Sequence, residues 1–497
     1  VQGSQLRTLA AAACLVISVV SVRADDSLQK KKEELEKKLH ALGHELAEKH
    51  ASFGRKLDEA GRKNDAFLER LLALELSPDE AAVREALGYK KEGDAWQGAP
   101  DRPPAVDAPL PEKLAKDRAE LRRSAQQKLV ELAKRAQKDG LEAEARRLAG
   151  LALDEDGDST AARQLLHHEK KEGLWISPHE IAVRAAFSAC LSKVKVEDKK
   201  PEGDDAALVK TLGIGDGSRR ETEHFAVYAM KDADEQQLDA IARAGETCWD
   251  AIRFYLGGEN LGFTLAAPEL KTKGKSVAVG RLRGHIVTEK VYPDVVDRVL
   301  TDKEARELAK KDNAFHERTR LESSSQAWVL VTDEDTEDRA EILSMMVVDA
   351  HMDETVNGDA TCPDAILEGL RRFFAGHATG RAFNFYSGLG SSSLNKQEHA
   401  GKPFPDFRAL VRPALTASLE GDLRALLTKA QGDFELRDVL MSFAFVDFLL
   451  NTRRDALIEF LGQLRQGVLP TDTLEAVFKT SVRDLERELH EWVRQEY

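Results

Sequence analysis

His351 and Glu368 are the residues whose types and spacing bear most directly on chemistry. They stand on two consecutive helical patterns between Ala340 and Gly376. The interval from 351 to 368 is long enough for the chain to turn back, so that an imidazole and a carboxylate face each other across a helix pair. Together they offer a metal ion two donors. A hydrolytic zinc centre asks for three protein ligands, a position for water, and a general base to take the water's proton. Glu354 shares a helix face with His351 and would extend the set to His351, Glu354 and Glu368, with Asp349 and Asp353 nearby. The structural alternative is a solvated acidic helix face, the ordinary fate of such clusters.

Two helices must position these groups. In the first, Ile342, Met345, Met346, Val348 and Met352 recur at a spacing close to one face of period 3.6. A polar loop with Asn357, Gly358 and Asp359 follows. The second helix opens after Pro363 and carries Ile366, Leu367, Leu370, Phe373 and Phe374.

This pair resembles the active-site segment of gluzincin metallopeptidases of the peptidase-MA-like type. In that family an H-E-x-x-H helix is followed by a P-x-W-x-x-E-G-x-A-x-x-[FY] helix. Pro363, Glu368, Gly369, Leu370 and Phe374 stand in the family's order, with Ala365 in the usual Trp slot and Arg371 in the usual Ala slot. If His351 is the second histidine, the first histidine and the catalytic glutamate are replaced by Val347 and Val348. Valine neither ligates zinc nor accepts a proton. The resemblance therefore implies a vestigial centre at Val347, Val348, His351 and Glu368, with no catalytic residue, no metal and no cofactor expected. Zinc belongs only to the alternative set of His351, Glu354 and Glu368. Without a metal, Glu368 needs His351 or another donor as partner, because an unpaired buried carboxylate is costly.

The resemblance extends from about Thr222 to the C-terminus. Glu223, His224, Phe225 and Val227 are similar to the family's opening strand, and Leu474, Phe478, Val482, Leu485, Glu486 and Trp492 to its closing helices. His224 is read as a strand residue with a surface or edge partner and not as a metal ligand. A helix from about Asp234 to Leu256 follows, and 276–279 and 328–331 are candidate strands. Met441, Phe443, Phe445 and Phe448 mark a very apolar core helix. The glycine run Gly213–Gly217 lacks the spacing of a dinucleotide fingerprint. The loop Phe385–Gly401 holds Ser387 and His399 without nucleophile-elbow spacing.

The 497 residues carry a formal charge of −14, with 32% charged and 42% hydrophobic residues. So acidic a chain excludes nucleic acid as a partner, since phosphate recognition needs a basic surface. Residues 1–24 read as a secretory signal: Arg7, an apolar run to Val22, then Val22-Arg23-Ala24 before a cut ahead of Asp25. An uncleaved anchor is the alternative; the mature chain has no other candidate span. Cys190, Cys248 and Cys362 fit no metal spacing and read as buried apolar residues, with a Cys248–Cys362 bridge left open.

From Asp25 to Leu76 a narrow stripe of Leu28, Leu35, Leu39, Leu42 and Leu46 predicts a coiled-coil seam or a helix lying on a neighbour. Residues 72–96 then recur as 151–175, with Leu72, Asp79, Arg84, Leu87 and Trp96 matched by Leu151, Asp158, Arg163, Leu166 and Trp175. The unit resembles a tetratricopeptide-like helical hairpin, with Trp96 and Trp175 as expected core anchors. Gln97–Lys113 is a Pro-rich linker and 196–221 a second, polar one.

The fold class read from these features is mainly α, with α+β character in the C-terminal half. A signal peptide (1–24), a charged helical repeat region (25–195), a linker (196–221) and a zincin-like domain (222–497) succeed one another. The expected function is non-catalytic binding or scaffolding in an exported, periplasmic or extracellular protein. A protein or peptide partner would use the repeats or the vestigial cleft. A zinc-dependent hydrolase and a structural envelope protein are the rival readings.

Overall fold

The structure, a computed structural model, describes residues 2–78, 80–93, 95–97, 103, 109–198, 210, 218–229, 235–257, 270–272, 275–277, 282–287, 292–300, 303, 306–307, 310, 314–320, 325–332, 340–345, 347–349, 352, 362–382, 402–416, 421–465 and 470–497. His351, Asp353, Glu354, the Gly213–Gly217 run and the Phe385–Gly401 loop lie outside the described residues. The chain is mainly helical and divides into two compact units, one of residues 1–178 with two short later segments, including Arg494–Glu496.

This first unit contains one motif twice. Helices α1 (Gln2–Glu59), α2 (Lys63–Leu76) and α3 (Ala81–Leu87) lead into a hairpin, β1 (Lys90–Glu92) and β2 (Ala95–Gln97). Helices α4 (Glu112–Lys138), α5 (Glu142–Glu155) and α6 (Thr160–Leu165) lead into β3 (Glu169–Lys171) and β4 (Leu174–Ile176). The backbone repeats as well. Left-handed residues fall at Gly61 and Gly140, at Gly88 and His167, and at Gly93 and Glu172, the same offset that separates Trp96 from Trp175. Arg84 Nε donates to the Pro78 carbonyl and Arg163 Nε to that of Gly157, again in register.

The duplication thus reaches upstream of residue 72 into the leading helices. Those helices are highly charged, and many helix formers serve equally there, so the fold is kept where sequence identity has faded. The leucine stripe of α1 is the face of a helix lying on neighbours: Leu35 and Leu46 are buried with Leu129, Ala133 and Leu148 of α4 and α5. Trp96 and Trp175 are not core anchors. They sit half-buried on the hairpins, Trp96 beneath Lys91 and Arg84, and Trp175 beneath Lys170. Helix α1 runs without interruption through the predicted cleavage point at Ala24–Asp25. Among the described residues, no helix is long and apolar enough to cross a membrane.

The second unit holds helix α7 (Pro178–Leu191) from His179 onward and a six-stranded mixed sheet. The strands are β5 (Glu197–Asp198), β6 (Ser218–Glu221), β7 (Phe225–Ala229), β10 (Leu282–Val287), β11 (Ala314–Arg320) and β12 (Ser325–Thr332), while β8 (Leu270–Thr272) and β9 (Lys275–Val277) form a separate hairpin. Their order is β11-β12-β10-β7-β6-β5, with β7, β10 and β12 mutually parallel and antiparallel strands outside them. The ends of the stretch 196–221, read as linker, are therefore sheet: Glu197 pairs with Glu221 and Ser218 with Ala229. Polar strands of this kind escape a search for apolar alternation.

Helix α8 (Glu235–Leu256) lies against β7 through an apolar face of Leu238, Ile241, Ala242, Cys248, Trp249 and Ile252. Helices α9 (Tyr292–Val299) and α10 (Asp364–Thr379) follow, then α11 (Phe404–Thr416), α12 (Asp422–Thr428), α13 (Leu436–Thr452), α14 (Arg454–Arg465), α15 (Pro470–Phe478) and α16 (Val482–Glu496). Every residue of α13 from Val439 to Leu450 is buried, as its composition predicts. Cys190, Cys248 and Cys362 are all free thiols, so Cys248 and Cys362 are not bridged.

Candidate functional site

The second helix of the predicted pair is α10. It opens directly after Pro363, ends at Gly380 in the left-handed conformation, and buries Ile366, Leu370, Phe373 and Phe374. Gly369 marks its crossing with α13: a Cβ there would collide with the Ser442 carbonyl oxygen and a Val446 methyl. The glycine of the E-G motif is needed for close helix packing.

The neighbouring Glu368 is 1% exposed. Arg372 Nε donates to its Oε1 at 2.6 Å, while Arg371 Nη1 and Gln431 Nε2 approach Oε2 at 3.5 and 3.3 Å. Each arginine has further acceptors. Arg372 reaches Glu341 Oε1 at 3.2 Å and the Ala382 carbonyl at 2.9 Å, and Arg371 pairs with Asp349. Burial pushes the Glu368 carboxyl up, but the two guanidinium charges hold it below the ordinary carboxylate range.

Val347 and Val348, in helical residues 347–349, are 0% and 1% exposed and belong to the same apolar core as Phe373 and Phe374. These residues do not fit a zinc ion. Two positions offer no donor, and the carboxylate at the third is already saturated by cations. The remaining candidates, His351 and Glu354, lie outside the described residues.

A different constellation stands in the turn before β7. Thr222 and His224 precede the strand; Glu246 and Asp250 lie one helical turn apart on α8 and so share a face. Gly245 brings the helix close, because a Cβ there would meet the Phe225 ring at 2.7 Å. Glu246 can then accept from His224 Nδ1 at 2.8 Å through Oε1, and from the Thr222 hydroxyl at 2.6 Å and the His224 backbone N–H at 3.0 Å through Oε2. The His224 ring stacks on Trp249 at 5.2 Å, with 21° between the planes.

Burial lowers the affinity of the His224 imidazole for a proton, but the hydrogen bond and charge of Glu246 outweigh it and raise the pKa above the ordinary value. Burial pushes Glu246 up, yet its bonds to His224 and Thr222 hold it below the usual range. Asp250 is raised, by burial first and then by the negative charge of Glu246. Among the described residues the Asp250 side chain makes no hydrogen bond or ion pair, and the charges of His224, Arg253 and Lys193 reach it only at longer range.

These groups line a cleft of about 780 Å3, together with Cys190, Lys193, Glu223 and Arg253. Reading the sequence assigned His224 an edge partner but missed Glu246 and Asp250. Their spacing on one helix face was visible, but nothing in a linear reading brings that face to His224. Another buried charge network in the same unit joins Glu180 to His377 and Arg408, and Arg408 to Asp447, which also meets His179 and Tyr497. Every group there is paired, and its chemistry is that of a structural brace. No known family pattern, curated protein or solved structure matches the chain.

Proposed function

We propose that this chain is a non-catalytic binding or scaffolding protein, exported from the cytoplasm, whose C-terminal half derives from a peptidase-MA-like gluzincin domain. The observation that carries the reading is the pairing of Glu368 with Arg371 and Arg372. A carboxylate that once could have held a metal now pairs with two buried guanidinium groups, whose remaining charge Asp349 and Glu341 meet. The replacement of the first histidine and the general base by Val347 and Val348 supports the same reading, because zinc hydrolysis requires both lost groups. The gluzincin origin is supported by the Pro363–Glu368–Gly369 order on α10 and by a small sheet with α8 alongside it. Export is supported by the apolar run ahead of Asp25. The duplicated helical motif, with its exposed hairpins, suits a protein or peptide partner.

The test is a peptide-library digestion with the purified full-length chain, with and without chelator. No chelator-sensitive cleavage is expected. Cleavage that chelator stops, and that His351→Ala abolishes, would replace this reading with a hydrolase using His351, Glu354 and Glu368.

A further inference from the structure

We propose that His224, Glu246 and Asp250 form a binding site for a divalent transition-metal ion, zinc foremost, in the cleft beside β7. This site is separate from the vestigial centre and shares no residue with it. One imidazole nitrogen and two carboxylate oxygens lie within 4.8 Å of one another. Zinc bonds of roughly 2.0–2.2 Å require such donors about 3–3.5 Å apart; His224 Nδ1 and Glu246 Oε1 already stand 2.8 Å apart, so the closure falls to rotation of Asp250. The mixed nitrogen and oxygen set favours zinc, manganese or iron over calcium or magnesium, which take oxygen alone.

The surroundings already orient the donors. The Thr222 hydroxyl and the His224 backbone N–H fix Glu246 Oε2 and leave Oε1 directed at the imidazole. Trp249 sets the plane of the His224 ring, and Glu223 Oε1 lies 3.8 Å from its Nε2. At that distance Glu223 makes no hydrogen bond to the ring but adds negative charge on its far side. The charges ask for a cation. Asp250 faces the same region as Glu246 without a partner of its own among the described residues. A divalent ion would neutralise both carboxylates. With three protein donors in a cleft of about 780 Å3, the remaining coordination positions are accessible to water or a small ligand.

The experiment is zinc binding to the full-length chain after chelator treatment, by competition with a chromophoric chelator and by metal analysis. Circular dichroism verifies that each variant is folded. The unmodified chain should bind one zinc ion. Asp250→Asn removes no contact among the described residues, so it should fold normally and still weaken zinc by at least about 10-fold. His224→Gln should do the same, whereas His351→Ala should leave binding unchanged. Absence of stoichiometric zinc overturns the proposal. So does full affinity in the combined Asp250→Asn, His224→Gln variant. Zinc lost only in His351→Ala overturns it too, and overturns the non-catalytic reading with it. Zinc lost only in the cleft variants leaves that reading intact.

Discussion

Arg372 Nε lies 2.6 Å from Glu368 Oε1, and each side chain is 1% exposed. Removing Glu368 takes the nearest counter-charge from buried Arg372 and leaves Arg371 and Arg372 to Asp349 and Glu341 alone. Glu368→Gln is therefore expected to destabilise the chain by about 3–5 kcal/mol. Urea unfolding of the variant should show this as a lower midpoint. A midpoint within error of the unmodified chain would mean the pair is not formed in solution.

Writing an H-E-x-x-H pattern into residues 347–351 should not create a metal centre. Val347→His with Val348→Glu places two polar groups in a sealed apolar core, beside a Glu368 that remains engaged by arginines. The double variant should lose more than about 3 kcal/mol of stability. Metal analysis should find no zinc beyond that of the unmodified chain. One additional zinc ion per chain would count against this account.

Gly369 is expected to tolerate no side chain. Its Cβ would strike the backbone of Ser442 on α13, and a backbone oxygen cannot rotate aside. Gly369→Ala should cost about 1–3 kcal/mol through forced separation of α10 and α13. Gly380→Ala is a useful contrast: it meets nothing within 4 Å, and its cost comes from its left-handed φ of 75° alone. Thermal melts of the two variants separate a steric from a conformational origin.

In the first unit, fully buried His50 hydrogen-bonds Glu69 through Nδ1 at 2.7 Å, and its Nε2 lies 3.2 Å from a carboxylate oxygen of Glu155. Burial works against the imidazolium, but the two carboxylates prevail and raise its pKa from 6.5 to about 9. Since the folded value lies above the unfolded one, this contribution is fully present below pH 6.5 and is lost as pH rises through about 9. Glu69 runs the other way. Burial pushes it up, while His50, Arg122 and Arg118 bring it from 4.5 down to about 2, so its contribution is lost as pH falls through that range. The His50 shift corresponds to on the order of 3 kcal/mol. Unfolding midpoints should decline from pH 6.5 toward pH 9 in the unmodified chain, and His50→Leu should flatten that decline. An equally steep alkaline decline in His50→Leu would assign it to other groups.

Helices are local, and their signals were largely legible. The start of α10 after Pro363, the apolar character of α13 and the extent of α8 all follow from residues within a few turns of one another. The repeat ending at Trp96 and Trp175 was visible for the same reason, as was the charged amphipathic helix before each copy, though its hairpins were not. Strand partners and buried charges are a different matter. Glu197–Asp198 and Ser218–Glu221 become sheet only because β7 supplies the hydrogen bonds. The spacing of Glu368, Arg371 and Arg372 could be read directly, but nothing in that spacing said that all three are buried rather than solvated. His224 meets Glu246 and Asp250 only because Gly245 lets α8 approach Phe225. The sequence determined the helices and placed Val347 and Val348, which offer no metal donor, one turn before residue 351. Tertiary packing decided which charges lost water and had to find each other, because desolvation depends on neighbours distant in the chain.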